Sequence, residues 1–547
     1  MNMKKYQIPA LILAAALSLF GGVNASAQNN VAGTKNDNEI TLGIFAINDF
    51  HASFVRNESK HTPGAPALVQ TMDSLCRVYP YHIVVNAGDS FGGSYLYSMS
   101  REKGLVPQLF RDLNIHISAL GNHEFDEGQE KLAAKWKGAE LRPDDWNFTY
   151  VAANIRNDKG ECPSFARPYA VQEIVLPQGQ NIKVAFIGLT TSDAPQQTSA
   201  RNVKGLSFDG NYPKVLDSLK QTPGYDVVEK ADLRFILSHL GTAQQGEDAF
   251  WIDGNQDNLK KIDDPSIHGL ITSHTHEMVA SHINARCYPV VQGLSHGNYI
   301  SMLEVKFDTL TRRVGEITPR LVRIYPKAVL EEKPARLQKQ IEETLAQYKT
   351  KGGTPLGKPV MHLDAPLEHN RRNKFRQTEV GTLVCQSFAE TYRKNEGLSD
   401  KALVIGVSHF GSIRAGFPAG DISVLDVGET LPFANALRVY HMTGKQLFDL
   451  VAFGLRNKRF GQIQTSYLSY ERDQESGELL RLFYTKGKKP QEVKAKKKYY
   501  VVVDDYIVRG GDGYPVSLFP DEVEVKPTHT LPTTTDVFID YLSNLKQ

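Results

Sequence analysis

The chain has 547 residues, which is too long for one small module and suggests two to four domains. Hydrophobic residues make up 41% and charged residues 23%, so the composition excludes a largely disordered protein. The 63 Lys and Arg residues nearly balance the 61 Asp and Glu residues. This balance gives no electrostatic reason to expect binding to a nucleic-acid polymer or to a membrane surface.

Residues 1–27 are predicted to be a secretory signal peptide. Lys4 and Lys5 form a positive start, an apolar run extends from Ile8 to Phe20, and Ala25-Ser26-Ala27 has the small-x-small pattern of a cleavage site. No later stretch reaches the ~20 apolar residues that a membrane helix needs. We therefore expect an exported protein, periplasmic or secreted, without a membrane span.

Short β-branched, apolar runs alternate with longer polar stretches from Glu39 to about Asp308, which predicts an α/β layered domain. A helix is predicted over Ala67–Val78. The ends of the apolar runs carry polar residues and histidines, and ligand sites form at the carboxyl ends of strands in such sheets. The predicted strands are Ile40–Ile47, His82–Asn86, Ile117–Leu120, Tyr150–Ile155, Lys183–Leu189, Leu233–Leu237 and Ile267–Ile271.

The organisation changes near Tyr325. Apolar residues at helical spacing in the charged segment 327–351, followed by Gly352-Gly353-Thr354-Pro355, predict a linker helix and hinge over 326–355. This segment would join a domain of residues 38–325 to a smaller α/β domain of residues 356–547. In the second domain we predict a C-terminal helix and the elements Glu379–Tyr392 (helix), Leu403–Val407 and Tyr499–Val503 (strands). The basic cluster Lys486–Lys498 is interpreted as a solvated hairpin, because no aromatic residue is interleaved in it.

Four cysteines are scattered along the chain without metal-type spacing: Cys76, Cys162, Cys287 and Cys385. Export permits disulfides, and four cysteines allow three full pairings, among which the sequence does not choose. We favour isolated buried thiols.

Five short motifs place Asp, Asn or His at the ends of predicted strands in the N-terminal half. Each motif alone is weak, because a lone D-x-H occurs by chance and a lone H-x-H is commonly a packing or surface feature. Together they predict a metal site, because buried His and Asp are costly unless they are paired or metal-bound. The motifs are Asn48-Asp49-Phe50-His51, Gly88-Asp89, Gly121-Asn122-His123-Glu124 with Asp126 just after, Ser238-His239, and Ser273-His274-Thr275-His276.

The candidate ligands are imidazoles, carboxylates and a carboxamide, without a thiolate. This set suits Zn, Mn, Fe or Co and disfavours a structural cysteine-zinc site. Asp89 is the predicted bridge between two divalent ions. Two such ions about 3.5–4 Å apart clamp the attacking and leaving oxygens of a phosphate displacement and lower the pKa of a bound water.

The ordered motifs D-x-H, GD, GNHE and the two late histidine motifs resemble the calcineurin-like metallophosphoesterases. Gly411-Ser412-Ile413-Arg414, Pro432-Phe433-Ala434-Asn435 and Gly510-Gly511-Asp512-Gly513-Tyr514 add a resemblance to the 5′-nucleotidase family, which includes bacterial UDP-sugar hydrolases. The resemblance implies an α/β fold. Its parts would be a layered phosphoesterase domain with two β-sheets flanked by helices, a linker helix, and a smaller α/β substrate-binding domain.

The resemblance also implies two metal positions and a catalytic pair. One ion would be held by Asp49, His51, Asp89 and His276, and the other by Asp89, Asn122, His239 and His274. His123 would face the phosphate, paired with Asp126, because a carboxylate can hold an imidazole protonated and oriented. The alternative for Asp126 is a local turn or a helix cap.

In the second domain, Phe433 and Tyr506 resemble the two aromatic plates that hold the nucleobase, each stack being worth about 1–3 kcal/mol. The alternative is that both rings belong to the core. Asp512 matches a ribose-binding carboxylate, although the glycines around it also suit a simple turn. Arg376 and Arg414 match arginines that contact the phosphate or ribose, for which the planar guanidinium is suited.

The chain departs from the family pattern in this pocket and keeps the expected metal ligands. His409 stands where relatives usually carry asparagine, Tyr506 where phenylalanine is common, and Arg509 where a small or amide residue is usual. Glu379-Val380-Gly381-Thr382 replaces the usual N-x-G-N. We count His409 and Asn435 among the expected substrate-binding residues.

These motifs predict an exported dimetal phosphohydrolase that acts on a small-molecule nucleotide as a 5′-nucleotidase. Hydroxide held by the two metals would attack phosphorus in line, and His123 would help the nucleoside oxygen to leave. One alternative is a 2′,3′-cyclic-nucleotide phosphodiesterase/3′-nucleotidase or a UDP-sugar pyrophosphatase. Another is a catalytically silent nucleotide-binding surface protein, which the complete set of expected ligands disfavours. The oligomeric state, the physiological metal and the preferred base stay open.

Overall fold

The computed structural model describes residues 38–57, 61–134, 147–177, 179–350, 352–370, 373–458, 460–473, 475–487 and 489–545. The predicted signal peptide at 1–27 lies outside these ranges. Within them, no helix is both long and apolar enough to cross a membrane.

The N-terminal half is built mainly from strands, numbered here in chain order. They are β1 (Glu39–Ile47), β2 (His82–Asn86), β3 (Ile115–Ala119), β4 (Thr149–Val151), β5 (Ile155–Asn157), β6 (Tyr169–Ile174), β7 (Ile182–Thr190), β8 (Leu206–Phe208), β9 (Leu233–His239), β10 (Thr242–Gln245), β11 (Asp248–Trp251), β12 (Gly269–Ile271), β13 (Met278–Ile283), β14 (Tyr288–Gly293), β15 (Tyr299–Asp308) and β16 (Arg313–Arg323).

Most helices of this half are short. They are α1 (Ala65–Val78), α2 (Tyr95–Met99), α3 (Leu105–Asp112), α4 (Gln129–Ala134), α5 (Ala194–Gln197), α6 (Tyr212–Lys220), α7 (Asp226–Glu229) and α8 (Gln256–Leu259).

Two sheets form the layered core. A six-stranded sheet has the order β16-β15-β1-β2-β3-β4, and an eight-stranded sheet has the order β10-β11-β13-β14-β12-β9-β7-β6. Ile44, Val85 and Ile117 from the first sheet pack with Phe186 and Phe235 from the second. Helices α1 and α3 pack on the first sheet and α6 packs on the second, so the central parallel strands are largely buried on both faces. This arrangement confirms the predicted α/β class.

Strands β1, β2, β3 and β4 run parallel to one another in the first sheet, and β7, β9, β12 and β14 do so in the second. Their carboxyl ends therefore meet at shared edges. This geometry brings the loops that carry the histidine and aspartate motifs together.

Helix α9 (Glu332–Gln347) lies inside the predicted linker and packs on α1. Lys333 Nζ lies 2.6 Å from Asp73 Oδ1, and Arg336 Nη2 lies 3.0 Å from Asp112 Oδ1. Buried Leu337 adds an apolar contact. The helix is thus attached to the N-terminal half, while the exact domain boundaries stay a prediction.

The C-terminal half is a smaller α/β unit. A five-stranded sheet of order β21-β18-β25-β20-β26 forms its centre, beside a three-stranded sheet β22-β23-β24 and the pair β17-β19. Its strands are β17 (Pro359–Leu363), β18 (Val404–Ser408), β19 (Gly420–Ser423), β20 (Leu437–Thr443), β21 (Gln464–Thr465), β22 (Leu468–Arg472), β23 (Leu479–Tyr484), β24 (Gln491–Glu492), β25 (Lys498–Asp504) and β26 (Glu524–Val525). Its helices are α10 (Glu379–Asn395), α11 (Val424–Thr430), α12 (Gly444–Arg456), α13 (Asp505–Val508) and α14 (Thr534–Asn544).

One predicted strand is wrong. Residues Tyr150–Ile155 do not form a single strand, because the chain leaves β4 after Val151 and re-enters an extended conformation only at Ile155. Between them, Ala153 N donates to Gly188 O at 2.7 Å, and Asn154 Nδ2 donates to Thr190 O. The connection thus crosses to the second sheet.

The four cysteines are free thiols, as predicted. Cys385 is buried and Cys287 is exposed, so the expectation of burial does not hold for all four.

Candidate dimetal site and substrate cavity

The predicted metal ligands converge at the carboxyl edge of the two sheets. Five of them have left-handed backbone angles, which residues other than glycine adopt only where the surrounding structure holds them. The fold therefore imposes the direction of these side chains. The five φ angles are 44° at Asp49, 50° at His51, 51° at Asp89, 79° at His274 and 55° at His276.

The first ligand cluster contains Asp49, His51 and His276, whose ligand atoms all lie within 4.8 Å of one another. His51 Nε2 lies 3.0 Å from His276 Nε2, and His276 Nε2 lies 3.5 Å from Asp49 Oδ1. Ser273 Oγ donates to Asp49 Oδ2 at 2.5 Å, and the backbone N–H of His274 donates to the same carboxylate. Two imidazole nitrogens beside an oriented carboxylate form a donor set for a divalent cation.

The second cluster contains Asp89, His239 and His274 within the same 4.8 Å limit. His239 Nε2 lies 3.1 Å from Asp89 Oδ2 and 3.1 Å from His274 Nδ1. His239 Nδ1 donates to the carbonyl oxygen of Ala87 at 2.9 Å, which fixes the ring orientation. Burial lowers the pKa of His239, but the Asp89 and Asp49 carboxylates raise it by more, to about 10. The pocket thus strongly favours a positive charge at this position.

Asp89 lies between the two clusters. Its Oδ2 is 3.1 Å from His239 Nε2 and 4.0 Å from His51 Nε2, and its Oδ1 accepts from the backbone N–H of His123 at 2.9 Å. Burial would raise the pKa of Asp89, yet the neighbouring His239 and His123 lower it below its ordinary value. An ionised carboxylate between two groups of imidazoles is the arrangement expected of a bridging ligand.

Asn122 supplies a further test of the fit to metal. Its Oδ1 is buried and has no hydrogen-bond partner within the described part of the chain, although the residue lines the cavity beside Asp89. An unpaired buried carbonyl oxygen is costly unless a ligand satisfies it. The seven predicted ligands therefore fit two cations: Asp49, His51, Asp89, Asn122, His239, His274 and His276.

The motifs did not single out Glu124 as a functional residue, but the structure gives it a clear role. Its buried carboxylate accepts from the backbone N–H groups of Asp89, Ser90 and Gly121 at 2.8, 2.8 and 2.7 Å. These bonds tie the loop after β2 to the loop after β3. A Cβ at Gly121 would lie 2.1 Å from Asp89 Oδ1, so this approach requires glycine.

His123 and Asp126 form the expected pair. His123 Nδ1 lies 2.7 Å from Asp126 Oδ2, and Thr198 Oγ1 donates to Asp126 Oδ1 at 3.3 Å. Burial lowers the pKa of His123, but Asp126 and Asp89 together raise it above its ordinary value. The side chain also comes within 4.8 Å of ligand atoms of His51 and Asp89, so it stands next to the metal positions.

Residues of the C-terminal half close the cavity from the other side. The imidazole of His123 lies parallel to the ring of Phe433, with centroids 5.8 Å apart, and the Arg414 guanidinium lies 5.7 Å from the centroid of Phe433. The cavity has a volume of about 1680 Å³ and is also lined by Asn435 and Tyr506. The metal clusters and the predicted nucleoside-binding residues thus face one space.

A second histidine–aspartate pair lies in this cavity. His409 Nδ1 is 2.6 Å from Asp512 Oδ2, and Tyr506 donates its hydroxyl to Asp512 Oδ1 at 3.1 Å. The His409 ring stacks on Tyr506 with centroids 4.8 Å apart. This stacking covers one face of the Tyr506 ring. His409 Nε2 is buried and has no hydrogen-bond partner among the described residues, so this ring nitrogen is available to a ligand.

Arg376 is not brought to this site. Its side chain is exposed and does not line the cavity. Lys374, two residues earlier in the chain, does line it. The backbone carbonyl of Arg376 instead accepts from Gln464 Nε2 at 2.9 Å.

Three residues near the metal clusters lie outside the five predicted motifs: Gln197, Asp253 and His296. His296 lies with its ring centroid 5.1 Å from that of His51 and 5.5 Å from that of His276. His296 lies shortly after the end of β14. Its position after a strand, like that of the other histidines, was therefore a signal in the sequence. Gln197 and Asp253 lie in segments without such a signal.

Comparison with known proteins agrees with this geometry. Residues 42–278 match the family model for calcineurin-like phosphoesterase, and residues 359–518 match the model for the 5′-nucleotidase C-terminal domain. The endonuclease YhcR of Bacillus subtilis (strain 168) is 22% identical over 496 residues, or 88% of this chain. The chain spans only 38% of the length of that relative.

Two further relatives match this chain over most of the length of both proteins. The 5′-nucleotidase of Vibrio vulnificus (strain CMCP6) is 25% identical over 428 residues, which is 73% of this chain and 71% of that protein. The crystal structure of a 5′-nucleotidase precursor from Thermus thermophilus has a TM-score of 0.71 at 24% identity and covers 93% of this chain and 97% of that one. This structural likeness shows a shared fold.

The fold, the ligand clusters and the family models together define a hydrolase of the metallophosphoesterase class, which uses a dimetal centre. The chain belongs to the 5′-nucleotidase family, with a calcineurin-like phosphoesterase domain followed by a 5′-nucleotidase C-terminal domain. The predicted family, enzyme class and two-metal cofactor are thereby confirmed.

Proposed function

We propose that this chain is an exported 5′-nucleotidase that removes the 5′-phosphate from nucleotides. The observation that carries the proposal is the shared cavity, in which the His123–Asp126 pair lies against Phe433 and Arg414 from the other half. A phosphate at the metal clusters and a nucleoside in the C-terminal half would then occupy one continuous space. Relatives named 5′-nucleotidase support this substrate class.

The metal ligands would be divided as the family resemblance implies. Asp49, His51 and His276 would hold one cation, Asn122, His239 and His274 the other, and Asp89 both. When bound, the two cations would supply Lewis-acid activation of the phosphate and of the attacking water. Their identity is open among Zn, Mn, Co and Fe, since the imidazole and oxygen donors suit each of them.

The side chains around the phosphate then act by position and charge. The carboxylate of Asp126 holds the Nδ1 proton of His123, so that Nε2 is directed to donate a hydrogen bond or proton to the leaving 5′-oxygen. The guanidinium of Arg414 has several N–H donors for the oxygens of phosphate or ribose. Both groups stabilise charge that develops as the ester bond breaks.

The nucleoside would be held by Phe433, Tyr506 and Asp512. Because His409 covers one face of Tyr506, a base would have to stack on the opposite face of that ring. Asp512 already accepts from His409 and Tyr506, and its remaining lone pairs would accept from ribose hydroxyls. Asn435 lines the same cavity and offers a carboxamide for polar recognition.

Export is proposed from the positive, apolar and small-residue pattern of residues 1–27. The division into domains at 38–325, 326–355 and 356–547 is proposed from the change of sequence pattern near Tyr325.

Two pocket residues favour an alternative within the family. His409 and Arg509 depart from the usual pattern and both line the cavity. Activity as a 2′,3′-cyclic-nucleotide phosphodiesterase/3′-nucleotidase or as a UDP-sugar pyrophosphatase is therefore the second candidate.

A phosphate-release panel separates the two candidates. The full-length enzyme is loaded in turn with Mn, Co or Zn and given AMP, UMP, 3′-AMP, 2′,3′-cyclic AMP or UDP-glucose. An Asp89→Ala protein prepared in the same way is the control for contaminating phosphatase. Release from AMP or UMP supports the proposal, and cleavage of other substrates without any 5′-nucleotide would overturn it.

A further inference from the structure

The imidazole of His274 has one nitrogen in the second metal cluster and the other against two side chains outside it. Nδ1 lies 3.1 Å from His239 Nε2, inside the cluster with Asp89. Nε2 lies 3.1 Å from Gln197 Nε2 and 3.6 Å from Asp253 Oδ2. The ring therefore connects the cluster to Gln197 at the end of α5 and to Asp253 between β11 and α8.

Two oxygens on the far side of this ring are buried without a partner. Gln197 Oε1 and Asp253 Oδ2 have no hydrogen bond within the described part of the chain. A buried acceptor in this state is unfavourable unless a donor reaches it. Both side chains contact His274 Nε2, and this ring nitrogen carries an N–H group that can donate to them when the lone pair is on Nδ1.

The orientation of the Gln197 amide follows from the same argument. In the structure, the amide nitrogen of Gln197 faces His274 Nε2. This contact is a hydrogen bond only if His274 Nε2 is an acceptor. An acceptor Nε2 would put the proton on Nδ1 and direct it at His239 and Asp89. A half-turn of the amide exchanges its oxygen and nitrogen, and Oε1 then accepts from the Nε2–H group.

We propose that Gln197 and Asp253 are positioning residues that hold the Nε2–H group of His274 and thereby direct its Nδ1 lone pair to the second cation. The proposal rests on the metal centre of the proposed function and is independent of the substrate. Hydrogen-bonded partners of metal-binding histidines fix the tautomer and ring orientation, and their loss typically weakens metal binding by about 10–100-fold.

Metal binding without substrate provides the test. Metal-free full-length protein is titrated with Mn²⁺ by equilibrium dialysis, and bound metal is counted by elemental analysis. Gln197→Ala and Asp253→Ala are each expected to weaken one of the two sites by about 10–100-fold and to leave the other unchanged. Asp257→Asn, which changes an exposed carboxylate four residues further on, is the matched control and should bind two ions as the parent does.

A conservative variant separates positioning from simple structural support. Gln197→Glu keeps an acceptor oxygen at the same place and is expected to bind both ions within a few-fold of the parent. If Gln197→Glu lost metal as severely as Gln197→Ala, the ring would need an amide N–H, and the proposal would be overturned. Parent-like affinity in both alanine variants would overturn it as well.

If Asp253→Ala fails to fold, Asp253→Asn retains an oxygen of similar size and takes its place. Parent-like binding in that variant together with weakened binding in Gln197→Ala supports the proposal. Because no substrate is present, failure of the nucleotidase assignment would leave these measurements unaffected.

Discussion

The ring of His123 lies parallel to that of Phe433, with an angle of 8° between their planes. The first residue belongs to the phosphoesterase domain and the second to the C-terminal domain. The chain just before Phe433 is held in place by Glu429, which accepts from Ser94 Oγ at 3.0 Å and from Tyr95 N at 2.8 Å. The stacking thus depends on a hydrogen-bonded contact between the two halves.

Replacing His123 should separate metal binding from catalysis. His123→Ala is expected to retain both metals and to lower kcat by about 10²–10⁴-fold, because it removes the imidazole that faces the leaving oxygen. Steady-state kinetics on the best nucleotide and a metal count on the same sample provide the measurement. An unchanged kcat would exclude His123 from the chemistry.

Removing the bridging carboxylate should affect metal binding as well as activity. Asp89→Ala is expected to lose bound metal and activity together, because Asp89 Oδ2 faces histidines of both clusters. Elemental analysis after dialysis measures this directly. Two metals per chain in the variant would show that Asp89 does not bridge.

Tyr506 should affect substrate binding through its ring. Tyr506→Leu is expected to raise KM for AMP by about 5- to 150-fold, which corresponds to the about 1–3 kcal/mol of a base–aromatic stack. Tyr506→Phe keeps the ring and should raise KM much less. Glycerol phosphate, which has no base, serves as a control substrate with unchanged kcat/KM. Equal effects of the two variants on AMP would contradict a stacking role.

His409 should make stability depend on pH. Burial lowers its pKa, but the Asp512 and Asp504 carboxylates raise it by more, against a smaller opposing effect of Arg414, so the folded pKa exceeds the ordinary value. A raised folded pKa contributes stability that is fully present below the unfolded pKa of about 6.5 and is lost as pH rises through the folded value.

The expected result is a stability difference between the parent and His409→Asn that is largest below about pH 6.5 and narrows as the pH rises above that value. Urea unfolding of both proteins across this range gives the free energies. A difference that stays constant with pH would mean that the imidazole is not charged in the folded state.

The predictable part of the site came from strands that are buried on both faces. Val84 and Val85 belong to such a strand, and the apolar run ends just before Asp89, so the position of the ligand could be read from the sequence. His239 ends its strand in the same way. The family resemblance added the division of ligands between two metals.

Other features depend on tertiary contacts that no local pattern records. Gln197 reaches His274 from the end of α5, and Asp253 reaches it from the loop between β11 and α8. Arg376 matched a family position, yet its side chain is exposed away from the cavity. The break after Val151 has neither Gly nor Pro to mark it, because the crossing is held by hydrogen bonds to the second sheet.

The central claim is that two cations share Asp89 at the edge where the sheets meet. Anomalous diffraction from crystals of the Mn²⁺-loaded enzyme tests it most directly. We expect two peaks about 3.5–4 Å apart with the Asp89 carboxylate between them. A single peak, or two peaks that Asp89 does not join, would contradict the account.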